Sequence, residues 1–318
     1  MPMTRRHFTT SVLGSASALG VAALAAPSSF AQTLANLPRP NSKVRGVQLA
    51  LNAPYNFGNN NLPWDEVLFR TVVLGASALE LRSQPIEGYM GWVIPNPAPT
   101  PAAGQTPAQA TALALRAWRR TADLTRARDL RQKFDAAGVA IEIVKFDNIY
   151  NFDDQELDYA FSLAKAVGAR AISCEIAADG TARVGRAADR HELMVGYHGH
   201  AETTPAHWEA AFAQAKFNGA NLDLGHFVAG NNTSPVPFLE EHHARITHIH
   251  VKDRRRNNGP NMPFGQGDTP IAEVLRLIRD RKWNIQATLE FEYPVPAGSD
   301  RTIEQARALE FCRQALLA

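Results

Sequence analysis

Short apolar runs rich in β-branched residues recur along the chain, and most are followed by a stretch in which apolar positions have helical spacing. Strands are predicted at residues 44–51, 76–81, 139–145, 169–175, 193–198, 220–223, 246–251 and 285–290. Amphipathic helices are predicted between them, for example at 155–167, 207–216 and 271–281. Eight strands that alternate with helices predict an α/β fold, a closed (β/α)8 TIM barrel, in a single domain spanning residues 32–318.

The regular spacing is interrupted between the second and third predicted strands, where residues 85–110 are rich in proline, glycine and alanine. Proline removes a backbone donor and fixes φ, so this insertion is not helix or central strand throughout. It leaves the carboxyl end of a strand, where barrels of this kind build their sites. A linker without regular structure and a lid that carries Tyr89 and Trp92 over the site are both consistent with the sequence.

The first 31 residues are predicted to lie outside the barrel. Arg5 and Arg6 precede an uncharged stretch at 11–26, and small residues lead up to Ala31. This pattern is typical of a twin-arginine signal peptide, and the uncharged stretch is short for a membrane span. We therefore expect cleavage after Ala31 and an exported, periplasmic protein with no membrane segment after cleavage.

Charge and cysteine content narrow the classes of function. Lys and Arg total 33 and Asp and Glu total 31, so the net charge gives no argument for a nucleic-acid partner. The two cysteines, Cys174 and Cys312, are too few for a disulfide framework, although an exported protein could pair them. Helices on the outside of a barrel commonly form symmetric interfaces, so a homodimer is allowed, but no face is identified.

The seventh predicted strand carries polar side chains on one face. Side chains alternate along ITHIHV at 246–251, so His248, His250 and the following Lys252 share a face. Ile249 and Val251 share the opposite face. Because an isolated buried charge costs several kcal/mol, the polar face requires compensating groups nearby.

Most of the other predicted strands also end in polar residues, which are Glu80, Arg82, Glu142, Lys145, Glu175, His198, His200, Asp223, His226, Glu290 and Glu292. A single histidine at a strand end is more often structural than a ligand. However, eight of the ten histidines lie between residues 198 and 250, with carboxylates on the neighbouring strands. Since all the carboxyl ends meet at one mouth of a barrel, the pattern predicts a site for one divalent ion such as Mn, Co, Zn, Fe or Mg.

Four motifs follow one another in this half of the chain: DLGHFVAG at 223–230, HIHVKD at 248–253, GQGD at 265–268 and LEFE at 289–292. As an ordered series they resemble the xylose isomerase-like barrels grouped as sugar phosphate isomerases and epimerases, relatives of endonuclease IV. The resemblance covers residue 44 to the end. It implies a metal-dependent enzyme that acts on a small carbohydrate.

The resemblance also implies a metal held by Glu, Asp, His and Glu from successive strands, which matches Asp223, His250 and Glu290. Where ketose epimerases have the remaining Glu, this chain has His198, so either His198 or Glu175 from the adjacent strand takes that place. We assign Glu175 to the metal and His198 to acid–base chemistry, with His200 and Lys252 as the other catalytic groups. A mechanism with two metal-bound glutamates is not expected, because one of the pair is absent or displaced.

Lys252 could hold an oxyanion or pair with a neighbouring carboxylate, and both interpretations remain open. Substrate contacts are assigned to His226, Arg82, Glu142, Trp92 and Glu292. Neutral imidazoles suit proton transfer near pH 7.

Export favours free sugars, oxidised sugars or glycosides over cytoplasmic sugar phosphates. The expected reaction is isomerisation or epimerisation through an enediolate, and the alternative is β-elimination from a 3-keto-glycoside in the periplasm. A phosphodiesterase of the endonuclease IV type is disfavoured because residues 254–258 contain no histidine. A barrel that binds carbohydrate without catalysis is the alternative from another class.

Overall fold

The computed structural model describes residues 32, 34, 36–97 and 99–318, so the predicted signal peptide lies outside the described residues. Residues Pro38–Ala318 form one compact unit. None of the helices within the described residues combines the length and the apolar character that a membrane span requires.

The strands are β1 (Lys43–Val44), β2 (Val47–Ala53), β3 (Ala78–Arg82), β4 (Ala140–Lys145), β5 (Ala171–Glu175), β6 (Met194–His198), β7 (Asn218–Asp223), β8 (Ile246–Val251), β9 (Asp253–Arg254), β10 (Asn261–Met262) and β11 (Gln286–Leu289). Eight of them are parallel and lie in the order β2-β11-β8-β7-β6-β5-β4-β3, and β3 pairs with β2 to close the ring. The eight predicted strands and the (β/α)8 TIM barrel are confirmed.

The helices are α1 (Trp64–Val73), α2 (Ser83–Met90), α3 (Pro107–Arg119), α4 (Leu124–Ala136), α5 (Asp154–Ala166), α6 (Thr181–His191), α7 (Pro205–Gln214), α8 (Leu224–Asn231), α9 (Val236–His242), α10 (Ile271–Arg281) and α11 (Arg301–Leu317). Short 3-10 turns lie at Tyr55–Phe57, Ile149–Asn151 and His243–Arg245. Helix α10 follows Pro270 and covers the predicted helix at 271–281.

The first predicted strand is corrected at its start. Arg45 and Gly46 have φ of 49° and 90°, which turns the chain back on itself. Strand β1 therefore pairs antiparallel with β2, and the barrel strand begins at Val47. Glycine tolerates the positive φ at this turn without the steric cost that a side chain would add.

The proline-rich insertion is partly helical. Helix α2 includes Pro85, which stands in the first turn, where a missing N–H costs no helical hydrogen bond. Gly91, with φ of 109°, ends this helix. Between residue 92 and the start of α3, none of the described residues lies in a helix or strand. Thr106 caps α3 by accepting a hydrogen bond from the Gln109 N–H.

The two cysteines do not pair. Cys174 on β5 and Cys312 on α11 are both buried and free. The pairing that export would allow is therefore absent from this fold.

Polar side chains fill much of the barrel interior. Leu79, Leu81, Ile249 and Val251 are buried on the faces of β3 and β8 that point outward to the helices. The alternate residues point inward, and Asn52, Glu80, Asn221, His248 and His250 are all 0% exposed. The two-faced strand predicted at 246–251 is thus confirmed. Register shifts at Leu79/Glu80 and Ala220/Asn221 adjust where these inward side chains stand.

Candidate metal centre

Four side chains of the types that can bind a metal converge at the carboxyl ends of adjacent strands. His198 ends β6, Asp223 ends β7, His250 lies on β8 and Glu290 follows β11. Each offers one nitrogen or oxygen, and these four atoms all lie within 4.8 Å of one another. The strand register explains why these side chains lie close together. In the sheet, His250 is the register partner of Asp223 on one side and of Thr288, two residues before Glu290, on the other.

The donor atoms have the spacing that one ion would require. His198 Nε2 lies 3.4 Å from Asp223 Oδ2, and His250 Nδ1 lies 3.3 Å from Glu290 Oε1 and 3.8 Å from Asp223 Oδ2. Ligands about 2.1 Å from a tetrahedral ion lie roughly 3.4 Å apart. His250 Nδ1 is buried and has no hydrogen-bond partner among the described residues. The cluster therefore fits a divalent ion, with an unsatisfied nitrogen directed into it.

A buried carboxylate sets the orientation of His250. His250 Nε2 donates to Glu80 Oε2, which leaves Nδ1 to face Asp223 and Glu290. Burial lowers the pKa of His250, but the charges of Glu80 and Glu290 outweigh burial and raise it to about 10. The neighbouring His250 and His248 hold the pKa of Glu80 well below its usual value, although burial opposes this. The surroundings of His250 thus favour positive charge at the cluster.

Glu175 holds His198 in the same way from the other side. Its Oε2 accepts from His198 Nδ1 at 2.8 Å and from His200 Nε2 at 2.9 Å. Its Oε1 accepts from Lys145 Nζ at 2.7 Å. Because His198 Nε2 then faces Asp223, the structure brings His198 into the four-group cluster and places Glu175 beside it. Of the two alternatives left by the sequence, the geometry favours His198.

Lys252 joins the carboxylates of the cluster. Its Nζ lies 2.6 Å from Glu290 Oε2, 2.8 Å from Glu292 Oε2 and 3.2 Å from Asp223 Oδ2. It is also 2.9 Å from His226 Nε2. Burial lowers the pKa of Lys252, but Asp223 and Glu290 outweigh burial and raise it above its usual value. Lys252 is therefore a buried ammonium that pairs with Asp223 and Glu290, in line with the second of the two interpretations in the sequence analysis.

Three of the predicted substrate residues lie around the cluster. Glu292 contacts Lys252 and accepts from the Tyr55 hydroxyl at 2.7 Å. The guanidinium of Arg82 binds Asp147 and lies 5.4 Å from the centre of the Tyr55 ring. His226 contacts Lys252 through Nε2 and Arg254 through Nδ1.

The structure does not bring the other two predicted substrate residues to the cluster. Glu142 pairs with Arg170 at 2.8 Å, and Arg170 also donates to the carbonyl of Thr247. Thr247 is the second residue of β8 and Arg170 precedes β5, so this pair stands toward the amino ends of the strands. Trp92 packs against Trp118 on α3, with ring centres 5.8 Å apart.

A family model described as a xylose isomerase-like TIM barrel matches residues 110–314 of the chain. The chain belongs to the xylose isomerase-like TIM barrel family. No curated protein sequence matches it.

Solved structures of similar fold cover most of this xylose isomerase-like barrel. A probable 3-DHS dehydratase from Bacillus anthracis is 12% identical with a TM-score of 0.58, over 83% of this chain and 98% of its own. A sugar phosphate isomerase/epimerase from Parabacteroides distasonis is 14% identical with a TM-score of 0.56, over 84% and 95%. A D-psicose 3-epimerase is 12% identical with a TM-score of 0.57, over 86% and 100%. At these identities the likeness establishes the fold alone.

Three residues that no sequence motif assigned to the site also contribute to it. Glu80 holds His250, Lys145 holds Glu175, and Asn52 donates to Glu290 Oε1 at 2.9 Å. Each is a polar residue at an inward-facing strand position, and the sequence analysis noted only Glu80 and Lys145, as polar residues near strand ends. All three precede the four motifs at 223–292, and Asn52 and Glu80 lie outside the segment that matches the xylose isomerase-like family.

Proposed function

We propose that this xylose isomerase-like barrel is a divalent-metal-dependent enzyme that moves a proton next to the carbonyl of a keto-sugar or sugar derivative. The observation that carries the proposal is the cluster of His198, Asp223, His250 and Glu290, which are all buried. Each histidine of the cluster gives its other N–H to a carboxylate, the arrangement that orients histidines toward metals.

The charge around the cluster supports a cation. Two ammonium groups face five carboxylates there: Lys145 and Lys252 against Glu80, Glu175, Asp223, Glu290 and Glu292. In the proposal, His198 Nε2, Asp223, His250 Nδ1 and Glu290 hold the ion. When bound, the ion would supply a Lewis acid that acidifies the C–H bond next to a sugar carbonyl.

We assign the proton transfer to His200 and Glu175. The His200 side chain is 47% exposed and donates to Glu175 Oε2, so it can exchange protons with solvent and with a substrate at the mouth. The Glu175 hydrogen bond raises the pKa of His200 above its usual value. Lys145 keeps a permanent positive charge beside Glu175. His198, which the sequence placed in acid–base chemistry, is in this proposal a metal ligand.

Lys252 has a positioning role in the proposal rather than a free oxyanion contact. Its ammonium has three hydrogens, and three carboxylate oxygens already lie within 3.2 Å of Nζ. Lys252 therefore neutralises both carboxylates. It contacts Glu290 Oε2, which leaves Oε1 facing His250, and it shares Asp223 Oδ2 with the two histidines of the cluster.

The names of the structural neighbours support a carbohydrate or polyol substrate, since they include an isomerase/epimerase, a D-psicose 3-epimerase and a 3-DHS dehydratase. The dehydratase favours β-elimination as the second candidate reaction, here from a 3-keto-glycoside. Elimination needs the same proton abstraction, followed by protonation of the leaving oxygen. The twin-arginine pattern is our reason for placing the enzyme in the periplasm.

The test is incubation of the metal-loaded enzyme in deuterated water with a panel of ketoses and 3-keto-glycosides. The proposal expects deuterium at the carbon next to the carbonyl, and the product separates isomerisation from cleavage. Absence of both deuterium incorporation and cleavage with every member of the panel, from protein that binds no divalent ion, would favour a carbohydrate-binding barrel instead.

A further inference from the structure

A cleft separate from the metal cluster, which we call the aromatic cleft, opens on the same face of the barrel. It has a volume of about 660 Å³, and its walls include Trp64, Tyr89, Trp92, Ile94, Leu115 and Arg126. The residues before α1 follow β2, and those of α2 follow β3. Both segments leave the carboxyl ends of strands, the face on which barrel sites are built.

The rings of the aromatic cleft are held in place by packing. Trp64 and Tyr89 meet edge to face, with centres 5.2 Å apart and planes at 78°. The Arg126 guanidinium lies 5.6 Å from the centre of the Tyr89 ring and donates to the Met90 carbonyl at 3.1 Å. Trp92 is supported from behind by Trp118. The walls are therefore formed before any ligand arrives, which lowers the cost of binding.

A continuous series of contacts joins the aromatic cleft to the cluster. Gln84, which lines the cleft, donates to Asp147 at 3.0 Å. Asp147 binds Arg82, which lies over Tyr55, and Tyr55 donates to Glu292 beside Lys252. These contacts connect the side chains that line the aromatic cleft with those that surround the cluster.

We propose that the aromatic cleft binds an aromatic group that the substrate carries beyond the sugar ring, as in an aryl glycoside. This inference rests on the proposed function, because it assumes that the sugar ring lies at the cluster. The substrate class is then a glycoside with an aromatic aglycone rather than a free monosaccharide.

The chemistry of the walls favours an aromatic ring over a second sugar. Aromatic groups pair edge to face or offset with Trp and Tyr, and Arg adds a cation–π contact. A second sugar ring would bring several hydroxyl groups that need hydrogen-bond partners when buried. The walls also contain the polar residues Asn61, Asp65, Gln84, Glu87 and Arg126. Three of these already have partners, since Gln84 binds Asp147, Glu87 binds Arg119 and Arg126 binds the Met90 carbonyl. The side chains of Leu62, Ile94 and Leu115 offer no hydrogen bond. The volume lies within the range of small-molecule sites.

Gly88 allows the cleft to be filled without disturbing the barrel. It lies on α2 in the cleft wall, and a Cβ added there would meet no atom within 4 Å. Gly88→Leu therefore places a side chain at the cleft wall, and the loss of glycine favours the helix. Trp92→Ala removes a wall instead. Its matched control is Trp283→Ala, because Trp283 stacks on His243, follows α10 and lies toward the amino ends of the strands.

The experiment measures the Kd of 4-nitrophenyl β-glucoside and of methyl β-glucoside for the metal-loaded enzyme by calorimetry. The wild type and Trp283→Ala are expected to bind the nitrophenyl compound about tenfold more tightly, the scale of a good aromatic contact. Gly88→Leu and Trp92→Ala are expected to lose this preference and to keep the Kd of the methyl compound.

Wild-type protein that shows no preference for the nitrophenyl compound, including protein that binds neither, would overturn the inference. So would a preference that survives in both cleft variants. Deuterium exchange into keto-sugars is measured in parallel. Exchange without ring preference would contradict the role of the cleft and leave the proposed function in place. Ring preference without exchange or bound metal would contradict the proposed function, and only the binding of aromatic groups in the cleft would remain.

Discussion

Two carboxylates hold the two histidines of the cluster, and their surroundings differ. Glu80 is completely buried beneath His250 and its neighbours are His248 and His250. The Glu175 side chain is 45% exposed and binds His198, His200 and Lys145. A carboxylate buried inside the barrel can only orient an imidazole ring and stabilise its positive charge. A carboxylate at the mouth can also exchange a proton with solvent or substrate. In the proposed function, Glu80 therefore only orients a histidine, whereas Glu175 orients a histidine and also takes part in proton transfer.

The largest expected effect comes from changing Glu290, the proposed metal ligand that lies in the cluster with both histidines. Glu290→Gln should abolish metal binding and lower turnover by at least about a thousandfold, or about 4 kcal/mol at the transition state, because an anionic ligand is lost. Bound metal is measured by elemental analysis and turnover by deuterium exchange. Glu310→Gln on the surface of α11 is the control and should match the wild type. Full metal content in Glu290→Gln would contradict the assignment.

The next effect tests the exposed carboxylate. Glu175→Gln should lower turnover about a hundredfold, the lower range of general acid–base catalysis, because the partner of His200 loses its charge. The amide oxygen can still accept from His198 Nδ1, so most of the metal should remain bound. Turnover and metal affinity are measured on the same preparation. A loss of metal that accounts for the whole loss of turnover would show that Glu175 acts only through His198.

A smaller effect is expected at the buried carboxylate. Glu80→Gln should weaken metal affinity by about tenfold, at the low end for residues that orient metal-binding histidines, because His250 loses the charge that supports it. Turnover at saturating metal should change far less than in Glu175→Gln. The affinity is obtained by competition with a chelator. Should Glu80→Gln at saturating metal lose as much turnover as Glu175→Gln, the distinction between the two carboxylates would fail.

The smallest effect is expected for Glu142, which the sequence placed among the substrate contacts. Its partly exposed pair with Arg170 is worth up to about 1 kcal/mol. Glu142→Gln should therefore lower the free energy of unfolding slightly and leave turnover and KM unchanged. Denaturant unfolding and steady-state kinetics measure both quantities. A raised KM with an unchanged free energy of unfolding would instead support the substrate contact that the sequence predicted for Glu142.

The barrel and much of the cluster follow from the sequence, because both depend on alternation along single strands. Inward-facing His250 follows from the pattern of β8, and Asp223 and Glu290 end strands that neighbour it. The choice of Asp223, His250 and Glu290 among the polar residues near the strand ends came from the resemblance to the xylose isomerase-like barrels. The only further assumption was that the eight strands close into a barrel, which brings their carboxyl ends together.

The choice between His198 and Glu175 could not be made from the sequence. The two residues are register partners on β5 and β6, so both stand at the same height of the barrel. Their roles differ only in which ring nitrogen of His198 faces Asp223, and this depends on the hydrogen bond that Glu175 accepts. Spacing along the chain carries no information about such a bond.

The contributions of Glu80 and Asn52 depend on ring closure. Asn52 contacts Glu290 across 238 residues of chain, and Glu80 contacts His250 across 170. Asn52 reaches Glu290 because β2 pairs with β11, and Glu80 reaches His250 across the interior of the closed barrel. A single strand pattern identifies such residues as inward and polar, but not their partners.

The central claim is that His198, Asp223, His250 and Glu290 bind one divalent ion. Anomalous diffraction from crystals soaked in Mn²⁺, Co²⁺ or Zn²⁺ tests it most directly. The account predicts one strong peak within about 2.0–2.3 Å of His198 Nε2, His250 Nδ1 and an oxygen of each carboxylate. A peak at Glu80 and His248 instead, or no peak in the barrel mouth with any of the three metals, would contradict it.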